Sequence, residues 1–331
     1  MGSIKKILTR AIFIVVFLVL AFVVFFLISL GSPGKGEKRQ DFVVRSGWGA
    51  YAVAKELHQQ GLIKSRRAFL WYLRLSGKIN ELKKGVYEIH DGMSGFYVAD
   101  LLTSGRTKSI SFTIPEGYNN RQIGDLLTEK GFFHSRAEFL HYASDKDLLE
   151  KYKIPAKTAE GYLFPETYTV PVGYDKKKII ALMIEQFFES TKDLPLPRDP
   201  VERHNLVILA SIVEREAQVK EERPLIAGVF HNRLKANYPL ESCATIQYLF
   251  ERPKKKLYYK DLEINSPYNT YKHRGLPPSP ISNPGLEAIK ASLNPAQTSY
   301  KFFVVKGDGS HHFSQSYAEH LKMKKLYLGS H

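Results

Sequence analysis

The residue most suited to chemistry in this chain is a carboxyl at the end of an apolar run. In SIVEREAQ, Glu214 and Glu216 follow LVILASIV, a stretch apolar on almost every side. At about 100° per residue, Leu206, Leu209, Ala210, Val213 and Ala217 share one stripe, and the two glutamates flank it at roughly 80° to either side. Glu216 has Lys220 four residues on, the spacing of an exposed ion pair, whereas the positions three and four from Glu214 are Ala210, Ser211, Ala217 and Gln218. A carboxyl on a buried helix with no local cation has its pKa raised by desolvation, and can then serve as a general acid at neutral pH. A structural glutamate hydrogen-bonded to a loop fits the same pattern.

Other chemistries lack their residues. No GxGxxG or GxxxxGK[ST] loop is present to cradle a nucleotide, and no GxSxG elbow to carry a serine nucleophile. His311, His312 and His320 lack HExxH spacing and thiolate partners, so neither a metal nor a cofactor is expected. A single cysteine, Cys243, permits no intrachain disulfide. Lys and Arg number 48 against 33 Asp and Glu, a formal charge of +15 that suits nucleic acid, anionic lipid or an acidic polymer. The basic runs 176–178, 254–256 and 322–325 are scattered and read as solvated faces, which disfavours a nucleic-acid stripe.

Several elements must hold Glu214 in place. The stretch from His204 to about Lys220 reads as a helix buried at a domain centre. Before it, 176–190 places Ile179, Ile180, Met183, Ile184, Phe187 and Phe188 on one face of an amphipathic helix. Earlier still, the chain repeats itself at an offset of 70: Gly47, Val53, Leu57, Gly61, Ser65, Arg66, Phe69, Leu70 and Tyr72 recur as Gly117, Ile123, Leu127, Gly131, Ser135, Arg136, Phe139, Leu140 and Tyr142. Each copy reads as a strand, a helix closed by glycine, and a second helix started by serine. That order is the plan of small LysM-like carbohydrate-binding modules and equally of a generic α+β unit. Phe69, Trp71 and Tyr72 are expected in the core.

From Ala11 to Leu30 the chain has no charged residue, long enough at helical rise to cross a bilayer. No clean cleavage site follows, which favours an uncleaved anchor. Three basic residues on either side leave its orientation open by the positive-inside rule. Residues 31–41, polar and Gly-rich, read as a linker. The segments FHNRLKANYPLESCATIQY, NSPYNTYKHRGLPPSPISNPG and NPAQTSYKFFVVKGDGSHHFSQSYAEH read as polar, aromatic loops suited to an extended carbohydrate cleft, with YKFFVV and HHFSQ forming a hairpin.

The ordered series IPEGYNNRQIGDLL, EGYLFPETY, LASIVEREA, VFHNRL, SPYNTY, GLPPSPISNPG and HHFSQSYAEH resembles the YceG-like endolytic murein transglycosylases. In ESCATIQY, Cys243 and Ala244 stand where relatives usually carry Asp-Pro. The resemblance implies an α+β protein: a head at 1–10, a transmembrane helix at 11–30, a linker at 31–41, a LysM-like repeat region at 42–145 and a mixed α+β catalytic domain at 146–331. It implies a single pass of the bacterial inner (cytoplasmic) membrane with a periplasmic body, peptidoglycan glycan strands as substrate, and penicillin-binding synthases as neighbours. The family's catalytic glutamate falls on Glu214, and its motifs place Tyr162, Glu166, Asn232, Gln247, Asn269, Tyr271 and His311 around the cleft. A single acid suffices for this reaction, whereas Glu160 or Glu166 as a second carboxylate would favour hydrolysis.

Overall fold

The computed structural model describes residues 2–329. Its first element, α1 (Gly2–Ser29), includes the stretch Lys5–Ser29, which holds an 18-residue window of mean hydropathy 3.5 and is long and apolar enough to cross a membrane. The expected separate head is the first turns of this helix, because nothing between Gly2 and Arg10 breaks it. The expected linker is held in place as well. Leu30 is 1% exposed, its carbonyl accepts the Gly95 N–H at 2.7 Å, and Asp91 Oδ1 accepts the N–H groups of Gly36 and Lys38. Glycine makes 31–41 look flexible in sequence, but here Gly36, at φ +93°, lets the backbone turn onto that carboxylate.

The chain forms two compact units. The first runs to Ile110 and includes Thr169–Gly173; the second comprises Ser111–Tyr168 and Tyr174–His331. In the first, β1 (Arg39–Val44) pairs antiparallel with β2 (Gly85–His90), setting Phe42 opposite Tyr87. Helices α2 (Ala50–Gln59), α3 (Arg66–Leu75) and α4 (Gly95–Ser104) complete a core of Phe42, Leu57, Phe69, Tyr87 and Val98. Strand β3 (Ser109–Thr113) pairs with β4 (Thr167–Pro171).

Between those strands lie α5 (Asn120–Glu129), α6 (Arg136–Ala143) and α7 (Lys146–Lys151). Helices α5 and α6 start 70 residues after α2 and α3, as the repeat requires. Val53, Leu57 and Phe69 and their counterparts Ile123, Leu127 and Phe139 are all fully buried. Ser65 and Ser135 accept the N–H groups of Ala68 and Glu138, capping the second helix of each copy. The aromatic trio of the first copy divides: Phe69 is core and Tyr72 packs edge-on against Phe96, but Trp71 is 56% exposed beneath Arg74. Two residues along a helix is more than half a turn, which carries Trp71 away from Phe69.

Helix α8 (Lys176–Ser190) buries Ile179, Ile180, Met183, Ile184 and Phe187. Helix α9 (Pro200–Glu216) starts four residues before the expected point, because Asp199 accepts the N–H groups of Val201 and Glu202 and Pro200 fits the first turn. Around it pack α10 (Arg223–Lys235), α11 (Cys243–Gln247) and α13 (Leu286–Leu293), with α12 (Tyr259–Leu262) in the intervening loops. Their shared core is Ile208, Ile212, Val213, Ile226, Phe230 and Ala288. The expected loop FHNRLKANYPLESCATIQY thus contains the end of α10 and all of α11; its Tyr, Asn and Pro residues obscure the helical period. The hairpin forms as expected, β5 (Phe302–Val305) against β6 (His311–Ser314), followed by α14 (Tyr317–Leu328).

Candidate active site

Glu214 lies in the last turn of α9, and only 6% of its side chain is exposed. It does have a cation. Arg223, at the start of α10, places Nη2 2.7 Å from Glu214 Oε1, with 5% of its own side chain exposed. Helix spacing does not reveal it because α9 ends at Glu216, so Arg223 arrives around a corner that periodicity cannot follow. Glu214 Oε2 accepts the Gly285 N–H at 3.0 Å. Burial raises the Glu214 pKa; Arg223 and the Gly285 N–H pull it down, and Glu116 pushes it up again. The net direction is upward, toward the protonated form.

Glu116, far from α9 in sequence, is a second partner of Arg223. Its Oε2 lies 3.4 Å from the same Arg223 Nη2, and its side chain is 43% exposed. One guanidinium therefore serves a buried carboxyl and an open one. Glycines make the crowding possible: a Cβ at Gly285 would fall 2.0 Å from Glu116 Oε1. Gly117, at φ +77°, lies against Glu214 and Arg215 and donates its N–H to the Asn283 carbonyl. Both glycines occur in the motifs IPEGY and SNPG, which is the signal that could have located Glu116. Below Glu214, Ser211 Oγ accepts the Ile281 N–H and the Ser282 hydroxyl donates to the Ser211 carbonyl, fastening the strip 281–285 to α9.

Glu216 makes no pair with Lys220, since the helix has ended and the i, i+4 geometry is lost. It accepts instead from Ser242 Oγ and the Ala244 N–H. With Arg215, Gln218, Cys243, Tyr271 and His311 it lines a cavity of about 540 Å³. Tyr271 Oη is 3.1 Å from Cys243 Sγ, and burial raises the pKa of both groups. His311 Nδ1 lies 2.7 Å from Glu222 Oε2, which fixes β6 to the residue before Arg223. Tyr271 and His311 are therefore brought to one cavity beside the end of α9.

Of the remaining expected cleft residues, Gln247 lines a small pocket with Gly117 and Arg215, beside Glu214, and the others lie elsewhere. Tyr162 is fully buried, its hydroxyl 3.1 Å from His204 Nδ1, so it supports the interior and does not face a cleft. Glu166 is exposed and accepts the neighbouring Thr167 N–H. Asn232 donates to the carbonyls of Thr298 and Tyr300, Gln247 bonds Lys254 in both directions, and Asn269 donates to the carbonyls of Leu262 and Ile264. Each of these amides secures a loop.

A sequence profile of the YceG-like family matches residues 42–326. This chain belongs to the YceG-like family. Among its relatives, the endolytic murein transglycosylase of Bacillus subtilis is 34% identical over 307 residues, covering 87% of this chain and 84% of that protein. The endolytic murein transglycosylase of Streptococcus pneumoniae strain R6 is 29% identical over 313 residues, covering 84% of this chain and 56% of the relative. A crystal structure of a YceG-like protein from Listeria monocytogenes superposes with a TM-score of 0.59 at 30% identity, covering 87% of this chain and 99% of that one. The YceG-like span includes Glu116, Glu214, Arg223 and Gly285.

Proposed function

We propose that this chain is a membrane-anchored lytic transglycosylase that cleaves the β-1,4 bond between N-acetylmuramic acid and N-acetylglucosamine within glycan strands. The observation that carries the reading is the buried Glu214 carboxyl, raised in pKa yet held by Arg223 and the Gly285 N–H. Protonated Glu214 gives its proton to the leaving glycosidic oxygen as the bond to C1 breaks. Its carboxylate then takes the proton of the muramyl 6-hydroxyl, whose oxygen closes onto C1 as a 1,6-anhydro end. The proton count balances without water. Arg223 and Gly285 stabilise the carboxylate between the two transfers, and each oxygen keeps a second lone pair for the proton.

The α1 helix supports an uncleaved membrane anchor; the resemblance to endolytic murein transglycosylases supports the cytoplasmic membrane, a body on its outer side, and penicillin-binding synthases as neighbours. The repeat supports a LysM-like region in which both copies descend from one module. A hydrolytic muramidase is the second reading, favoured by one observation: Glu116 shares Arg223 with Glu214 and is open to solvent, where a base could activate water. Digestion of purified peptidoglycan by the full chain and its Glu214→Gln variant, with product ends read by mass spectrometry, separates these readings. Anhydro ends are expected, reduced about 10²–10⁴-fold in the variant. Reducing ends would establish hydrolysis, and absence of soluble fragments from the wild-type chain would leave a glycan-binding scaffold.

A further inference from the structure

The second unit contains a cavity of about 1150 Å³ whose walls include none of Glu214, Arg223, Glu116 or Glu216. One wall is the second repeat copy, at the start of α5 and the segment after α6; the other carries Tyr248 and Tyr268. Asn120, 3% exposed, lines it, and its Nδ2 has no hydrogen-bond partner. A buried amide donor left unpaired costs about 1–3 kcal/mol, so this position has reason to be filled from outside the chain.

Beside it lies Glu160, 4% exposed, accepting the Asn120 backbone N–H at 2.8 Å and bonded to Tyr248 Oη at 3.2 Å. Burial pushes the Glu160 pKa up to about 8. Tyr248 Oη donates to Glu160 Oε2 when that carboxyl is ionised; protonation of Glu160, which burial favours, reverses the bond and frees the tyrosine's own hydrogen. Tyr248 is fixed from the other sides by the Arg121 guanidinium, 4.8 Å from its ring centroid, and by the Tyr268 ring at 5.1 Å. The cavity thus offers two uncharged donors, Asn120 Nδ2 and Tyr248 Oη, next to rigid aromatic faces. Lys146, Lys153 and Lys157 stand exposed around its rim with no ion pair among the described residues, against one rim carboxylate, Glu150.

We propose that this cavity is a second carbohydrate site, which binds an N-acetylated sugar through its acetamido carbonyl at Asn120 and Tyr248 and its ring against the tyrosines. An acetamido group supplies the uncharged acceptor the two donors lack, pyranose faces stack on phenol rings, and the lysines suit a strand bearing carboxylates. A glycan gripped here is held along its length, away from the bond being cut. The choice of glycan as ligand rests on the proposed function, and the experiment keeps the two separable.

Tetra-N-acetylchitotetraose, which has no muramic acid, is titrated into the full chain in detergent micelles and into the Glu214→Gln, Asn120→Leu and Tyr248→Phe variants, with circular dichroism to establish folding. Saturable binding is expected, equal in wild type and Glu214→Gln and weakened at least tenfold in Asn120→Leu and several-fold in Tyr248→Phe. Tyr248→Phe keeps the ring and so tests the hydroxyl even if Asn120→Leu fails to fold. No binding by wild type, unchanged binding in folded variants, or preference for an Asp/Glu-rich hexapeptide would each overturn the proposal, while cleavage of peptidoglycan would still stand. Binding without cleavage would instead retain this site and remove the proposed function.

Discussion

At the scale of the residue, the site turns on how one guanidinium is divided. Arg223 favours the ionised form of Glu214, and Glu116, competing for the same Nη2, works in the opposite direction. With Glu214 as the proposed general acid, active below its pKa, the rate should fall as pH rises through the Glu214 titration. Glu116→Gln removes a negative neighbour, lowers the Glu214 pKa and should move the alkaline limb of the pH–rate profile to lower pH. The other charged neighbour, Arg215, points to the Gly117 carbonyl and is unchanged by that substitution. A limb that stays in place would show that Glu116 has no electrostatic hold on Glu214. Glu214 was legible in sequence because burial and the absence of a cation within one helical turn are local properties. Its partners Arg223 and Gly285 were not, being brought in by chain reversals after α9 and before α13.

At the scale of the element, α9 and the strip 281–285 act as one piece. Asn283 is fully buried: its Oδ1 accepts the N–H groups of Gly161 and Leu163, and its Nδ2 donates to the Tyr118 carbonyl and lies 3.4 Å from Glu160. Two residues on, Gly285 holds Glu214. The elevated Glu160 pKa gives this region a pH signature. The folded chain keeps a proton that the unfolded chain releases above about 4.5, so stability should fall between that pH and about 8, by up to about 5 kcal/mol. Glu160→Gln should flatten the slope, as read from urea midpoints at pH 5 and pH 8; a slope equal to wild type would exclude Glu160 as its source. Sequence periodicity gave α8 to the residue and the starts of the repeated helices, because their apolar positions face a single core. It lost α10 and α11, whose polar side chains bond loops on several sides, as Asn232 and Arg233 do.

At the scale of the whole molecule, the apolar α1 helix enters the core of the first unit without a break. Phe26 packs on that core, Leu30 is inside it, and the following backbone is clasped by Asp91. Leu30→Ala should destabilise the first unit by about 2–5 kcal/mol, seen as faster proteolysis within residues 31–110 of the micelle-bound chain. Equal rates would mean that the helix end contributes nothing to that core. In sequence, Gly-rich composition at 31–41 pointed the other way, since it records the freedom of the free chain and not the partners waiting for it.

Joined in this way, α1 and the first unit cannot swivel about one another. With α1 in a bilayer as proposed, that unit turns with the helix, and its exposed Trp71, Tyr51 and Tyr97 keep fixed directions relative to the helix axis. The anchor then sets a heading as well as a location.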